Sequence, residues 1–144
     1  MRTITNLALF LFALSSTAQE DFSKYKWRNR ILVFSTGNLE SETFSAQWEA
    51  FKSSHKKLED RNIVLFVLAK GRIYDKELKA IHHYHIAPLR KKYQIPQTFN
   101  GVTLIGKDGL VKLQKQFTVE PQFIYETIDQ MPMRQREMRE NLDD

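Results

Sequence analysis

Two continuous runs of apolar residues, separated by one amphipathic stretch, set the narrowest limit on how this chain folds. The runs occupy residues 31–34 and 63–69, and neither alternates with polar side chains. Continuous apolarity predicts strands buried on both faces, as in the middle of a parallel sheet. The stretch between them repeats large side chains at helical spacing: Phe44, Trp48, Phe51, His55 and Leu58. A strand, a helix of about five turns and a second strand form a βαβ unit, whose crossover is right-handed.

The segment after the second strand is less regular. Helical spacing of apolar residues continues up to residue 89, but Pro88 lacks the backbone donor that a helix interior needs. Proline suits the first turn of a helix, so we predict a helix over residues 88–94. The sequence predicts no definite secondary structure for residues 72–87. Within them, residues 76–86 are compatible with either a separate helix or a loop.

A hairpin and two helices follow. Residues 102–105 and 110–113 have the composition of short strands, and the loop between them ends in Asp108-Gly109, a strong hairpin signal. A helix with Thr118 as its cap comes next and ends at Met131-Pro132. The remaining residues predict one further, mostly charged helix.

The element order is therefore strand, helix, strand, helical region, hairpin, helix. Two parallel strands joined to an antiparallel hairpin give a central mixed sheet, made of a βαβ unit and a C-terminal ββα unit. Helices then cover both faces of the sheet. We predict an α/β fold of the thioredoxin-like class.

The first eighteen residues differ from the rest of the chain. Arg2 is their only charge, an apolar run fills residues 7–14, and small polar residues and alanine fill 15–18. These are the parts of a secretory signal peptide, and the run is shorter than the ~20 residues that span a bilayer. We predict export to the periplasm or extracellular space, cleavage after Ala18 and no transmembrane segment in the mature chain. A retained anchor or a buried first helix is the alternative.

Length and cysteine content narrow the chemistry. The 144 residues suffice for one domain, which we assign to residues 19–133, followed by a charged C-terminal helix or tail over 134–144. Cysteine is absent, which excludes disulfides, thiolate catalysis, cysteine-ligated zinc and iron–sulfur clusters in this chain. The net charge is +5, but the basic residues form only modest clusters. This distribution favours basic residues on solvent-exposed faces over a binding surface for an anionic partner. We expect no nucleic-acid partner and no cofactor.

Three stretches of the chain resemble the signatures of one family. They are residues 27–34 (WRNRILVF), 104–113 (LIGKDGLVKL) and 128–139 (IDQMPMRQREMR). They are similar to the domain of unknown function 4174 family, and the resemblance covers almost the whole mature chain. It implies a thioredoxin-like domain, usually exported, related to modules of secreted sushi-repeat and coiled-coil-containing matrix proteins. It implies no established biochemical activity.

The resemblance to thioredoxins also implies where redox chemistry would lie, and that place holds no sulfur. Thioredoxins act through two cysteines in the loop between the first central strand and the next helix, whose N-terminus lowers the thiol pKa. The matching stretch here is the vacated redox loop: Ser35, Thr36, Gly37, Asn38, Glu40, Ser41 and Glu42. The place of the thioredoxin cis-proline corresponds to Asn100-Gly101. Dithiol exchange is therefore excluded for this chain.

Histidine and hydroxyl side chains supply an alternative chemistry. His82 and His85 are candidate metal ligands, because imidazoles at i and i+3 of a helix bind one ion. A site needs further ligands, and only scattered Asp75, Glu77 and His55 are available, so exposed histidines are favoured. The hydroxyls of the vacated redox loop lack a Gly-x-Ser-x-Gly signature, which favours helix capping. A hydrolase or metal-dependent enzyme using histidine and acidic residues near this loop is the alternative function.

Aromatic, methionine and arginine side chains supply candidate binding residues. Tyr25 and Trp27 alternate with basic residues, so a strand there would separate aromatic and basic faces. In the C-terminal motif, adaptable methionines and carboxylate-pairing arginines predict either a partner or homodimer contact, or docking onto the chain's own sheet. The candidates are Trp27, Arg30, Met133, Arg134, Arg136 and Met138. We expect an exported, non-catalytic module that binds a protein or another envelope component.

Overall fold

A six-stranded mixed sheet forms the centre of the computed structural model, which describes residues 21–143. The strands are β1 (Arg30–Thr36), β2 (Ile63–Ala69), β3 (Arg72–Tyr74), β4 (Ala80–Ile81), β5 (Gly101–Ile105) and β6 (Val111–Gln116). The helices are a 3-10 helix (Phe22–Tyr25), α1 (Glu42–Lys52), α2 (His55–Asp60), α3 (Ile86–Lys92), α4 (Pro121–Asp129) and α5 (Pro132–Asp143). The predicted signal peptide lies outside the described residues. Within residues 21–143, no helix combines the length and apolarity needed to cross a bilayer.

The strand order confirms the predicted architecture. From one edge of the sheet to the other, the order is β4-β3-β2-β1-β5-β6. β1 and β2 are parallel neighbours and are connected by α1 and α2. The other neighbouring pairs are antiparallel, including the β5–β6 hairpin, in which β5 also lies beside β1. The chain therefore has the mixed α/β sheet of the thioredoxin-like class.

The sheet separates two hydrophobic cores, because its central strands are buried on both faces. One core lies between the sheet and helices α1, α2 and α4. There the ring centre of Phe34 lies 5.0 Å from that of Trp48 and 5.2 Å from that of Phe51. The other core lies between the sheet, the 3-10 helix and α3, and in it Phe22 stacks on Phe66 at 4.6 Å. Helices therefore cover both faces, as predicted.

The prediction of a single long helix between β1 and β2 is wrong, because the segment forms two helices separated at Ser53-Ser54. Ser53 Oγ donates to the Ala50 carbonyl at 3.1 Å, and Ser54 Oγ donates to the Phe51 carbonyl at 2.9 Å. Such local side-chain bonds compete with the backbone bonds that would continue a helix. The predicted apolar stripe persists across the break, except that His55 is exposed.

The segment left open after β2 forms a hairpin rather than a helix. Lys70 and Gly71 have φ values of 49° and 73°, which a two-residue type I′ turn requires. β3 and β4 follow, and Asp75 orders the loop between them by accepting the N–H groups of Glu77 and Lys79, each at 2.9 Å. Hydrogen bonds to this carboxylate stabilise a turn, so the segment does not form the helix that its spacing of apolar residues allowed.

Two helix starts also differ from prediction. α3 begins before Pro88, which lies in its first turn, where the backbone N–H has no helical partner in any case. α4 begins at Pro121, and Thr118 lies outside the helix and does not cap it. Proline at the first helical position fixes a helical φ, so it starts the helix without a side-chain cap.

Candidate functional site

The vacated redox loop lies at the carboxyl end of β1, where the chain leads into α1. Thr36 Oγ1 donates to the Asn38 carbonyl at 3.0 Å, and the Gly37 N–H donates to Asn100 Oδ1 at 3.0 Å. Asn38 Oδ1 in turn accepts the N–H of Glu40 at 3.0 Å. Asn100, which the sequence analysis assigned to the position of the thioredoxin cis-proline, anchors the loop through its bond to Gly37. Side chains of the loop thus form hydrogen bonds with the loop's own backbone.

Ser41 is the N-cap of α1. Its Oγ accepts the N–H of Phe44 at 3.2 Å, one of the amides that a helix start leaves without a partner. Glu42 lies in the first turn, where a negative side chain faces the positive end of the helix dipole. Ser35, the first hydroxyl of the loop, is fully buried in β1. Capping therefore accounts for Ser41, whereas the buried Ser35 Oγ has no hydrogen-bond partner among the described residues.

Replacing Ser41 with alanine is expected to lower the free energy of unfolding by about 1 kcal/mol, because the Phe44 N–H loses its acceptor. Ser45→Ala is the matched control, since Ser45 is exposed inside α1 and alanine is the better helix former. The control should leave stability unchanged or slightly raised. Urea unfolding followed by circular dichroism measures both variants, and equal losses would contradict the capping role.

Two cavities open at the vacated redox loop. One has a volume of about 430 Å³ and is lined by Thr36, Ser41, Thr43, Thr98, Asn100, Gln116 and Phe117. The other has a volume of about 320 Å³, and Lys70 and Arg90 are its charged lining residues. Among residues 21–143, neither a histidine nor a carboxylate lines either of these two cavities. His82 and His85 are exposed near α3 and share neither cavity, and no three metal-ligating side chains cluster within residues 21–143.

The three stretches that carry the family resemblance meet at the opposite end of β1. Arg30, the first residue of β1, donates through both terminal guanidinium nitrogens to Glu137 of α5, at 3.1 and 3.3 Å. The same carboxylate pairs with Lys107 of the β5–β6 turn at 2.7 Å. Arg30 is only 1% exposed, and a two-pronged guanidinium–carboxylate pair is the strong form of this interaction. One residue from each stretch thus forms the motif cluster (Arg30, Lys107 and Glu137).

A second set of ion pairs fixes α5 to the domain. Arg134 is 3% exposed and donates to Asp60 at 2.5 Å and to Asp129 at 3.2 Å. Arg61 pairs with the same Asp129 at 2.6 Å. These bonds join α5 to the ends of α2 and α4, so the C-terminal helix docks on its own domain. The boundary assigned between residues 133 and 134 falls inside α5.

The ion pairs lower the pKa of two carboxyl groups. Burial by itself would raise the pKa of Glu137, but hydrogen bonds from Arg30 and Lys107 outweigh burial and hold it below the ordinary value of 4.5. Burial would likewise raise the pKa of Asp129, and its arginine partners hold it below 3.8. A carboxyl whose pKa falls on folding stabilises the folded state above its unfolded pKa. That contribution is lost as pH falls through the folded pKa.

We therefore expect the free energy of unfolding to decrease as pH falls below about 4.5, through the lowered pKa values of Glu137 and Asp129. Urea unfolding across a pH series measures the slope. Glu137→Gln should flatten the slope in this window, because the titrating group is gone. Glu140→Gln, which changes an exposed side chain of the same helix, should leave the slope unchanged. An unchanged slope in Glu137→Gln would contradict the assignment.

The three segments that meet in the motif cluster also carry exposed large apolar side chains. Trp27 is 63% exposed, Leu110 is 62% exposed and Met133 is 39% exposed. The backbone N–H of Trp27 donates to the backbone carbonyl of Lys107 at 2.6 Å. Leu110 lies three residues after Lys107, at the end of the β5–β6 turn. Met133 lines a cavity of about 280 Å³ together with Arg30 and Lys107. Trp27, Leu110 and Met133 form what we call the apolar rim.

The structure divides the six predicted binding residues. Trp27, Met133 and Arg136 are exposed, Met138 is half-buried, and Arg30 and Arg134 are buried in ion pairs. Trp27 has a φ of 66° after the 3-10 helix, so the predicted alternation of aromatic and basic faces on a strand is wrong. Sequence reasoning did not single out Lys107, Leu110 and Glu137 as site residues. Their position inside the resembling stretches was the available signal.

Comparison with known proteins identifies the family of the chain. The model of a family described as domain of unknown function (DUF4174) matches residues 21–137. The chain belongs to this family. Coiled-coil domain-containing protein 80 of Danio rerio is 27% identical to this DUF4174 chain, and the match covers 81% of the chain described here. The chain spans only 15% of that relative, so the similarity concerns one part of a longer protein.

Solved structures similar to this DUF4174 chain include peroxiredoxins. The reduced 2-Cys peroxiredoxin of Plasmodium vivax has a TM-score of 0.57 and 13% identity, over 78% of this chain and 83% of that one. Thioredoxin peroxidase I of Plasmodium yoelii has a TM-score of 0.53 and 14% identity, over 79% of each chain. At such identity the likeness establishes the thioredoxin-like fold alone.

Proposed function

We propose that this chain is an exported, non-catalytic thioredoxin-like module that binds a protein through its apolar rim. The observation that carries the proposal is that each of the three stretches that meet in the ion cluster exposes one large apolar side chain. Large exposed apolar side chains that are bordered by polar ones mark interaction sites when they act together as one patch. Arg30 is buried, so the motif cluster supports the rim from below rather than contacting the partner.

Charge around the rim favours a partner that carries carboxylates. Lys26 and Arg28 flank Trp27, both are exposed, and neither pairs with an acidic side chain in the described part of the chain. Lys26 Nζ lies 5.4 Å from the centre of the Trp27 ring, so a cation and an aromatic face are presented together. Tryptophan and arginine are enriched at the energetic centres of protein interfaces. The partner is therefore an exported protein with an apolar patch bordered by aspartate or glutamate.

The vacated redox loop supports the non-catalytic part of the proposal. The chain has no cysteine, and neighbouring backbone groups engage the hydroxyls of Thr36 and Ser41. Nucleophilic catalysis needs a base within hydrogen-bond reach of the nucleophile. The two cavities at the loop offer no imidazole or carboxylate for that role.

Removing the rim is expected to abolish partner binding. Tagged chain, its double variant Trp27→Ala/Leu110→Ser and a control are cross-linked in the exported fraction of the source organism, and the products are identified by mass spectrometry. We expect one protein to be recovered repeatedly and its recovery to fall at least about tenfold in the double variant, because interface tryptophans carry much of the binding energy. Phe123→Ala is the control, since Phe123 is 39% exposed on α4, outside the rim.

Other outcomes of this experiment would contradict the proposal. Equal recovery by the double variant would show that the rim is not the binding surface. Self-association lost in the same variant would make the partner a second copy of the chain. Turnover of a substrate by the purified protein would defeat the non-catalytic assignment. The recovered chain should begin after Ala18, and an uncleaved product confined to the cytoplasm would contradict export.

A further inference from the structure

Within the part of the chain that the structure describes, only half of β2 has a neighbouring strand on its outer side. β3 pairs with the second half of β2, from Val67 to Ala69. The chain then turns away at Asp75, which accepts a backbone bond from Leu78. Residues 63–66 therefore have β1 on one side, and no strand among the described residues lies on the other. We call residues 63–66 the open edge.

The direction of the backbone shows which groups the open edge presents. The Arg30 N–H donates to the Asn62 carbonyl at 2.9 Å, so the even-numbered residues of β2 face β1. Backbone groups alternate in direction along a strand, so the odd-numbered residues face outward. Val67 and Ala69 use these outward groups to pair with β3. Ile63 and Leu65 direct theirs into the space where β3 would have continued.

A cavity of about 560 Å³ runs along the open edge. Leu58 of α2 belongs to one wall, and Tyr25, Ile81 and Tyr84 belong to the other. Residues 75–77 line the end at which β3 leaves the sheet. The open edge is therefore the floor of a groove in which His55 and Glu59 accompany Leu58 on one side, and Lys24 and His83 accompany the apolar residues on the other.

We infer that the open edge accepts an extended segment of a partner protein, which adds to the sheet as a strand beside β2. The outward N–H and C=O groups of Ile63 and Leu65 require hydrogen-bonding partners, and an extended backbone supplies donors and acceptors at matching spacing. Successive side chains of such a strand point to opposite faces, so one meets the wall of α2 and the next meets the wall of Tyr25 and Tyr84. The segment therefore carries apolar side chains at its centre on both faces and polar ones toward its ends, over about four residues or roughly 13 Å.

The shape of the groove distinguishes this occupant from a second copy of the chain. The open edge is recessed between two walls, so the identical recessed edge of another copy does not reach it. The outer edge of β6 differs in composition, since its exposed residues include Lys112 and Lys115. Lysines on an edge strand oppose pairing with another strand. The open edge carries Ile63 and Leu65 instead.

This site is separate from the apolar rim. The residues that line the groove include none of Trp27, Leu110 and Met133. Failure of partner binding at the rim therefore leaves the groove unaffected, and failure of strand addition leaves the rim unaffected.

Synthetic peptides test strand addition directly. The probe is an acetylated and amidated peptide of about eight residues, with apolar β-branched residues at its centre and a lysine at each end. Two isomers carry the same number of N-methyl groups, on alternate residues in one and on adjacent residues in the other. Alternate methylation leaves one hydrogen-bonding edge intact, whereas adjacent methylation blocks both edges. Their composition and apolarity are equal, so a difference in binding reports the backbone pairing.

Amide hydrogen exchange in the purified protein gives the readout. Without peptide, the Ile63 and Leu65 amides should exchange faster than those of Val64 and Phe66, which face β1. The unmodified and alternately methylated peptides should each slow exchange at Ile63 and Leu65 by at least about tenfold, and the adjacently methylated isomer should not. Ile81→Glu, which places a charge in one wall, should weaken binding by at least about tenfold, as expected for a buried unpaired charge.

Val111→Glu is the matched control, since Val111 is exposed on β6, and its binding should be unchanged. Several results would overturn the inference: equal binding of the two methylated isomers, absence of slowed exchange at Ile63 and Leu65 at millimolar peptide, or slowed exchange at β6 in place of β2. Amide exchange at Ile63 and Leu65 could also slow when the protein concentration rises without peptide. That result would assign the open edge to a second copy of the chain and would overturn the inference.

Discussion

Replacing Arg30 with alanine should lower the free energy of unfolding by about 3 kcal/mol, in the range measured when one member of a buried ion pair is removed. Arg30 is the first residue of β1 and is almost completely buried. Its guanidinium donates to Glu137 and to the carbonyl of Arg61 at 2.9 Å. The truncation leaves both acceptors without this donor and opens a cavity beneath α5. Urea unfolding at neutral pH measures the loss.

A neighbouring arginine provides the control for this substitution. Arg136 is exposed on α5, so Arg136→Ala should change stability by less than about 0.5 kcal/mol. The double variant Arg30→Ala/Glu137→Ala should lose less than the sum of the two single variants, because the two groups act on each other. Strictly additive losses would show that Arg30 acts through packing alone and that the motif cluster is not an energetic unit.

Replacing Gly101 with alanine should cost about 3 kcal/mol or more, at the upper end of measured overpacking penalties. A Cβ at this position would overlap the Lys115 carbonyl oxygen and lie 2.8 Å from the Gln116 Cα. Both atoms belong to the backbone of β6, which does not move without breaking its pairing with β5. The close approach of two strands, rather than an unusual φ, thus requires glycine. Thermal unfolding followed by circular dichroism measures the effect.

Gly37 provides the matched control within the same region. Its N–H donates to Asn100, the residue before Gly101, but a Cβ on Gly37 would meet nothing within 4 Å. Gly37→Ala should therefore change stability by less than about 0.5 kcal/mol. Similar losses in the two variants would mean that the strand approach at Gly101 relaxes at little cost.

The vacated redox loop and the motif cluster lie at opposite ends of β1. The loop was predicted to match the cysteine-bearing loop of thioredoxins, and local hydrogen bonds engage the side chains of Thr36, Asn38 and Ser41. The motif cluster lies at the amino end, where residues far apart in the chain meet in ion pairs. In this DUF4174 chain the sheet thus supports a surface away from the thioredoxin redox position.

Long, regular segments were the predictable part of the fold. β1 and β2 are buried on both faces, and their continuous apolar runs indicated this directly. β3 and β4 contain three and two residues, too few for any periodicity to appear. The interruption between α1 and α2 depends on two serine hydroxyls, which a pattern of apolar residues does not register.

The candidate site was predictable only in part. The exposed Trp27 and Met133 were among the candidate binding residues, and the stretches that hold Lys107 and Glu137 were noted for their resemblance. Arg30 and Glu137 are 107 positions apart in the chain, so no local pattern predicts that they form a pair. Arginine in a motif is equally compatible with an exposed contact and with a buried ion pair. Only the packing of α5 against β1 distinguishes them.

The amino-acid sequence by itself determined the βαβ core and the absence of thiol chemistry, because apolar runs and missing sulfur are properties of composition and local order. Tertiary structure alone decided which charges are buried in ion pairs, which large apolar side chains stay exposed, and where β3 leaves part of β2 without a neighbouring strand among residues 21–143. Those features depend on contacts between distant segments, whose formation is set by packing of the whole domain rather than by any one segment.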